Sequence, residues 1–382
     1  MSTCSKAGAV LVAAAMALVS GGVARLDAQQ RLTSRSAMHI TLPEDSPVAL
    51  AGADWGESVV TPRGSAMLLD LHTAITFRNI SQHRVRGITL LVMAQEVAPG
   101  GKASVSVPSL DVGPGEAFPV RIDLRLMRPQ TQTEGSLVDI SIDGVLFDSL
   151  EFYGPNKLNS RRSMSLWEME ARRDRKHLKS VYESAGADSL RRQLVDIQAR
   201  LSDRPKLDVQ VARGRTTTQE VERSVRVAFL KMPGQPVQPS DGFAGVTSTE
   251  ARAPHVEVVN SSTRGVRYVE LGWIVQNQSG EEFFAGSVPA EVNLAPGQRT
   301  KIQPEASVKL TERNGRPVPI SEMTGFVNHV EFQDGSMWIP QRANIDSGRL
   351  RSVLNPSPEE QRLSDLYRRK GLQAVIDELR KH

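Results

Sequence analysis

Histidine and carboxylate side chains two residues apart are the first place to look for chemistry in this chain. His329 and Glu331 stand at that spacing, as do His255 and Glu257, and on a strand such pairs share one face. Each pair could give two ligands to a metal, but a zinc site takes three or four, and no cysteine or further histidine lies close in sequence. An exposed polar strand face is therefore the expectation for both pairs, with no metal or cofactor. Asp334 is a second candidate, as a catalytic carboxylate. It precedes Gly335 between the apolar runs Val330–Phe332 and Met337–Ile339. Asp-Gly in that setting signals a hairpin, because a type I′ turn requires positive φ at both central residues. Asp334 is expected to be a turn residue. The chain contains no G-x-S-x-G, H-E-x-x-H, G-x-x-x-x-G-K or G-x-G-x-x-G. A site assembled only in three dimensions stays open.

Two further groups could bind without reacting. Between Arg161 and Arg204 there are eleven Lys or Arg against seven Asp or Glu, an excess equal to the net charge of the whole chain, +4. Arg172, Arg173, Arg175 and Lys176 form its densest run and are candidate contacts for a polyanion, such as an acidic glycan or lipid headgroups. The alternative is a solvated helix face with ion pairs at i,i+4. Tyr153 and Trp338 are candidates for an aromatic platform, or else close the end of a core. Nucleic acid is not expected as a partner, since no aromatic residues interleave the basic run.

The N-terminus has Lys6, then thirteen uncharged residues from Ala7 to Val19, then the small residues Gly22 and Ala24. That order is an export signal, with cleavage expected after Ala24 or Ala28, so residues 1–28 are assigned to a signal peptide. An uncleaved anchor extending to Ala24 is the alternative. Cys4 is the only cysteine and would leave with the signal, so the mature chain would have neither disulfide nor thiolate chemistry.

The remaining chain repeats itself. Asn79, Ser81, Val85, Arg86 and Leu90 recur as Asn260, Ser262, Val266, Arg267 and Leu271, at an offset of 181. Val112-Gly-Pro-Gly recurs as Leu294-Ala-Pro-Gly at 182, and Val145, Phe147, Tyr153 and Pro155 recur as Val330, Phe332, Trp338 and Pro340 at 185. The same 185 carries Leu178, Tyr182, Gly186, Leu190 and Leu194 onto Leu363, Tyr367, Gly371, Val375 and Leu379. A period this long describes two copies of a whole domain rather than a solenoid. Asn79-Ile-Ser, Asn260-Ser-Ser and Asn277-Gln-Ser also match the glycosylation triplet, a weak signal.

Within each copy, short runs rich in β-branched residues, such as Ala74–Phe77, Gly87–Met93, Phe118–Leu126 and Leu137–Ile142, alternate with Pro-Gly and Asp-Gly turns. Helical spacing appears at 163–183 and 188–201, broken at Gly186, and again at 358–370 and 372–380. The Asn-x-Ser, Pro-Gly and Val-x-Phe-x-Asp-Gly-x-x-Trp outline over 77–157 and 258–343 resembles the immunoglobulin-like or fibronectin-like sandwich modules of exported bacterial proteins. That resemblance implies no activity. The fold expected is thus mainly β: two tandem duplicated antiparallel β-sandwiches at 37–158 and 205–345. A basic helical hairpin at 160–204 and a C-terminal hairpin at 357–382 follow them, both hairpins docking on equivalent sandwich surfaces or pairing in a homodimer. The function expected is that of a periplasmic or secreted binding or scaffold protein, monomeric or dimeric, with a protein or acidic glycan or lipid partner. The alternative is an exported hydrolase directed at glycans.

Overall fold

A computed structural model describes residues 30–31, 38–95, 100–130, 135–202, 208–213, 223–247, 250–303, 306–311, 316–346 and 348–381. The export segment 1–28 lies outside the described residues.

The chain is mainly β. Its first half runs β1 (Gln30–Arg31), β2 (Met38–Thr41), β3 (Val48–Asp54), β4 (Val59–Arg63), β5 (Ala66–Asn79), β6 (Val85–Met93), β7 (Lys102–Val107), β8 (Ala117–Pro129), β9 (Val138–Phe147) and β10 (Phe152–Tyr153). One sheet joins β1, β4, β5, β3 and β8, and the other joins β10, β9, β6, β7 and β2. Alternation decides the faces: in β8, Phe118, Val120 and Ile122 are buried while Ala117, Pro119 and Arg121 are exposed. A shared core holds Leu69, Leu71, Ile75 and Phe77 of β5 against Ile88, Leu90, Ile140 and Val145 of β6 and β9.

Helix α1 (Ser160–Ser202) follows, interrupted at Gly186, whose φ of 78° and ψ of −179° fall in a region only glycine adopts readily. The second half runs β11 (Asp208–Arg213), β12 (Arg223–Phe229), β13 (Val237–Val246), β14 (Glu250–Asn260), β15 (Val266–Asn277), β16 (Glu282–Leu294), β17 (Arg299–Ile302), β18 (Ala306–Thr311), β19 (Ile320–Phe332) and β20 (Met337–Trp338). These strands form one ten-stranded sheet. The join is β12, which pairs antiparallel with β13 through Arg223–Arg226 and then parallel with β19 through Val227–Phe229. The sheet curls until β16 approaches β11, enclosing a core around Trp273, Phe326 and Val330. Val237–Pro239, in a Pro-rich stretch, opens β13. Four helices close the chain: α2 (Arg342–Ile345), α3 (Gly348–Val353), α4 (Pro358–Lys370) and α5 (Leu372–Arg380).

The two halves share local hydrogen bonds. Asn79 Nδ2 donates to His83 O at 2.8 Å and Val112 O at 3.1 Å, and its Oδ1 accepts from Ser81 N and Oγ at 3.0 and 2.7 Å. Asn260 repeats all four, with Arg264, Leu294 and Ser262, at the same distances. Both side chains are 0% exposed, so these two Asn-x-Ser triplets are turn clamps rather than surface acceptors. The hairpin after β19 differs from expectation. Of its turn residues only Gly335 has positive φ, 81°, so Asp334 occupies an ordinary αR-type corner and Gly335 the bulge behind it. Gly335 N donates to Phe332 O, as Leu150 N does to Phe147 O, each at 3.0 Å. Leu150 therefore stands opposite Gly335 in a left-handed conformation at φ 67°.

The helical stripes do not each dock on the sheets of their own half. Leu178, Leu190, Leu194 and Ile197 of α1 pack against Leu363 of α4 and Val375, Ile376 and Leu379 of α5, flanked by Tyr182 and Tyr367. The two hairpins cover each other within one chain. Short helices need such a partner, and each large side chain buried this way contributes about 1.5–3 kcal/mol.

Two outcomes are expected. Asn260→Ala removes four hydrogen bonds from a buried turn, and chemical denaturation should record a loss of about 2–4 kcal/mol. Leu379 is 1% exposed. Leu379→Ala should cost about 2–5 kcal/mol, with a melting temperature independent of protein concentration. Melting that shifts with concentration would mean that the stripes meet between chains.

Candidate functional site

The helices bring the ends of the two halves together around the first turns of α1. A cleft of about 350 Å³ opens there, within the range of small-ligand pockets. Leu150 and Asn156 come from the end of the first half, Arg161, Arg162, Ser165 and Met169 from α1, and Arg267, Glu331, Ser336 and Met337 from β15, β19 and the hairpin beyond it. Arg162 crosses the cleft. Its Nε donates to Glu331 Oε2 at 2.7 Å, and its guanidinium lies 3.5 Å above the Tyr268 ring. Among the described residues Glu331 is the only carboxylate in the lining, and that contact compensates its charge. Arg161 and Arg267 point exposed side chains at the same space and make no ion pair or side-chain hydrogen bond among the described residues.

Beneath the cleft lies a buried titratable group of side chains. His329 is 1% exposed, in correction of the exposed face expected for it and Glu331. α1 covers that end of β19, which nothing in the strand's own alternation announces. His329 Nδ1 lies 3.2 Å from Glu270 Oε2, off the line of a hydrogen bond, so both ring nitrogens lack one. Glu270 Oε1 accepts from Asn328 Nδ2 at 3.2 Å and from Ser287 Oγ. Burial holds His329 below its ordinary imidazole range, outweighing the pull of Glu270. Glu170 of α1 is pushed up to about 7, chiefly by burial, with Asp174, Glu270 and Glu360 adding to the rise and Arg173 opposing it. The other pair does face outward: His255 stacks on Phe243 at 4.4 Å, and Glu257 accepts from Arg299 at 2.9 Å.

The basic run expected to meet a polyanion is engaged in ion pairs at three of its four positions, with Arg173 and Arg175 turned inward and Arg172 exposed. Arg172 Nε donates to Glu168 at 2.9 Å, and Arg173 grips both oxygens of Asp174 at 2.9 and 3.1 Å. Arg175 is 4% exposed and bridges Glu168 at 2.8 Å and Glu359 at 3.2 Å. Lys176 remains exposed. The reason is that α1 carries the buried acids Glu168 and Asp174, which must be compensated where water is absent. Tyr153 packs at the edge of the first core, donating to Asp45 Oδ1 at 2.7 Å, while Trp338 packs against the second core. Burial, with Asp45 beside it, pushes the Tyr153 phenol up to about 12. Asp334 bonds Arg264 and accepts from Ser336 N at 3.0 Å, contacts that hold it down to about 2. Among the described residues, no three His, Cys, Asp or Glu side chains form a group that could hold a metal.

No protein-family model and no curated protein matches this chain. Among solved structures, the ApaA protein of Bordetella pertussis aligns at 17% identity, with 35% of this chain and 89% of that one covered and a TM-score of 0.17. Red sea bream transglutaminase aligns at 9% identity over 77% of this chain and 31% of its own, with a TM-score of 0.14. The β-glucosidase of Kluyveromyces marxianus in complex with glucose aligns at 8% over 69% and 45%, with a TM-score of 0.15. The chain thus spans less than half the length of the two enzymes, and at these scores none of the likenesses carries an argument about fold or activity.

The buried group makes a pH prediction with a definite sign. The folded chain holds the Glu170 proton between pH 4.5 and about 7, where the unfolded chain has released it. That carboxyl therefore costs nothing below pH 4.5 and destabilises increasingly as pH rises toward 7. His329 acts in the opposite sense, lowering stability as pH falls below 6.5. Melting temperature followed from pH 4.5 to 8 should decline less steeply on the alkaline side in Glu170→Gln than in the parent chain. Parallel curves would mean that Glu170 ionises freely in the folded state.

Proposed function

We propose that this chain is a non-catalytic binding or scaffold protein, exported to the periplasm or beyond. In this reading it is built from two copies of one sandwich module of immunoglobulin-like or fibronectin-like type, each followed by a helical hairpin. The twinned hydrogen bonds of Asn79 and Asn260 support the duplication, as do the matched pairings of Val48 with Asn79 and Val237 with Asn260. So does the parallel strand each half adds beside its last long strand, β2 on β9 and β12 on β19. The interlocked hairpins support a scaffold role, since they hold the modules in one relation. Among the described residues, no helix is long and apolar enough to cross a membrane.

The observation that carries the binding reading is the charge of the junction cleft. Its one acid is tied to Arg162, and two further guanidinium groups are left uncommitted. Retaining and inverting glycoside hydrolysis both need two carboxyl groups flanking the bond, one of them free to give a proton. A second reading, an exported hydrolase, draws support from Glu170, whose carboxyl is tuned near neutral pH as a general acid requires.

One experiment separates them. Immobilised protein is incubated with envelope glycans and peptides, and the retained material is analysed by mass spectrometry at intervals. Retention of an unchanged species, lost in Arg161→Ala/Arg267→Ala, is the expected outcome. Time-dependent cleavage abolished by Glu170→Gln would overturn the binding reading in favour of the hydrolase. Export is tested by N-terminal sequencing of secreted or periplasmic material, expected to begin near residue 25 or 29.

A further inference from the structure

The repeat offers an internal control for the cleft. Arg86 of the first half corresponds to Arg267 of the second, and Asp111, just before Val112, to Asn293, just before Leu294. The strands agree with this register, because Val85 bridges Val112 and Val266 faces Leu294. Arg86 is 8% exposed, donates from Nη1 to Asp111 Oδ1 at 2.7 Å, and has Nε 3.8 Å from Glu168 Oε1. In the second half both acids are gone. Asn293 replaces Asp111, and the offset of 185 that governs the hairpins puts Val353 at the position of Glu168. Val353 is buried in the second core.

Arg267 is thus an arginine whose counterpart takes two carboxylates and which has been left with none. Across the cleft Arg161 is in the same state, while the third guanidinium, of Arg162, is already neutralised by Glu331. Two uncompensated positive charges in a partly enclosed space raise the local potential for anions. A planar guanidinium matches the two oxygens of a carboxylate better than a point cation does. Leu150, Met169 and Met337 line the remaining wall with apolar surface.

We infer that the junction cleft binds a ligand bearing two carboxylates, one seated on Arg267 as Asp111 is on Arg86, the other on Arg161, with an aliphatic stem between them against Leu150, Met169 and Met337. The acids belong either to a free aliphatic dicarboxylate or to neighbouring acidic side chains of a peptide. The inference rests on the binding reading and on the duplicated register.

Isothermal titration of the full chain tests it with three probes: glutarate, a hexapeptide containing two glutamates, and inorganic phosphate. Binding of glutarate or the peptide is expected, weakened at least about tenfold in Arg267→Ala and in Arg161→Ala, as loss of one charge-assisted contact implies. Asn293→Asp restores the missing internal acid and should weaken binding similarly with the melting temperature unchanged, which separates site chemistry from misfolding. Peptide binding more than about tenfold tighter than glutarate identifies a peptide source, and equal affinities identify a small acid. Phosphate binding tighter than both overturns the carboxylate class. No heat from any probe, with the chain folded, overturns the site. If glutarate fails while envelope material is still retained unchanged, the dicarboxylate inference falls and the binding reading stands. If glutarate binds while retained material is cleaved, the reverse holds.

Discussion

Everything in this molecule depends on how buried carboxylates are compensated where the helices meet the sheets. Glu168 and Asp174 of α1 and Glu359 of α4 are almost without solvent, and none could remain ionised there alone. Arg175 reaches from α1 to Glu168 and to Glu359. Arg342 of α2 reaches Asp174 at 3.3 Å and Glu360 at 2.7 Å. Arg86 brings the sheet containing β6 into the same group through Glu168. Breaking one such buried pair costs about 3–5 kcal/mol, because the surviving charge is stranded. The charges therefore specify one arrangement of α1, α4 and both halves, and the apolar stripes of the hairpins supply the driving force for reaching it.

The same charges make the two similar hairpins inequivalent. In the register of 185, Asp174 corresponds to Glu359, and Arg175 to Glu360. Identical hairpins related by a twofold axis would set Asp and Arg against Asp and Arg. Here the first copy keeps Asp-Arg and the second has Glu-Glu, so Arg175 faces Glu359 on one side of the pseudo-axis. On the other side two acids would face each other, and Arg342, from a helix outside the hairpins, is interposed between them. Two identical copies would set Asp opposite Arg on both sides; here one side has lost its arginine and Arg342 replaces it, so the hairpins are no longer interchangeable.

Much of this was legible in sequence. Pro358–Lys370 and Leu372–Arg380 have the limits the apolar spacing predicts, because Ser357 and Glu360 form a capping box and Gly371 permits the bend at φ 82°. Strand alternation marked the core faces wherever one side meets water. It failed at His329 and Glu331, where a helix covers the second side, and burial on both faces leaves no alternation to read. The ion pairs of the run from Arg172 to Lys176 were not legible for a related reason. A charged helix facing solvent and a charged helix facing buried acids have the same composition, and only long-range contacts with Glu359 and Pro340 distinguish them. The type I′ turn failed because Asp-Gly also suits an ordinary corner followed by a bulge. Leu150, at the place of Gly335, adopts the strained left-handed conformation without a glycine to advertise it.

The cleft was only partly visible, as a mismatch of charge between repeats rather than as a motif. Arg86 and Arg267 align, and so do Asp111 and Asn293, but which arginine is satisfied depends on where α1 lies. A single helix cannot present Glu168 to both sheets. It turns Glu168 and Arg175 toward the first half and Arg162, Ser165 and Met169 toward the second, so the two aligned arginines meet opposite environments. The sequence register pairs two arginine positions, and the asymmetric placement of one helix closes the first and leaves the second open. The open position is where binding can be acquired without disturbing the fold, because the structural duty of the arginine is already discharged by its twin.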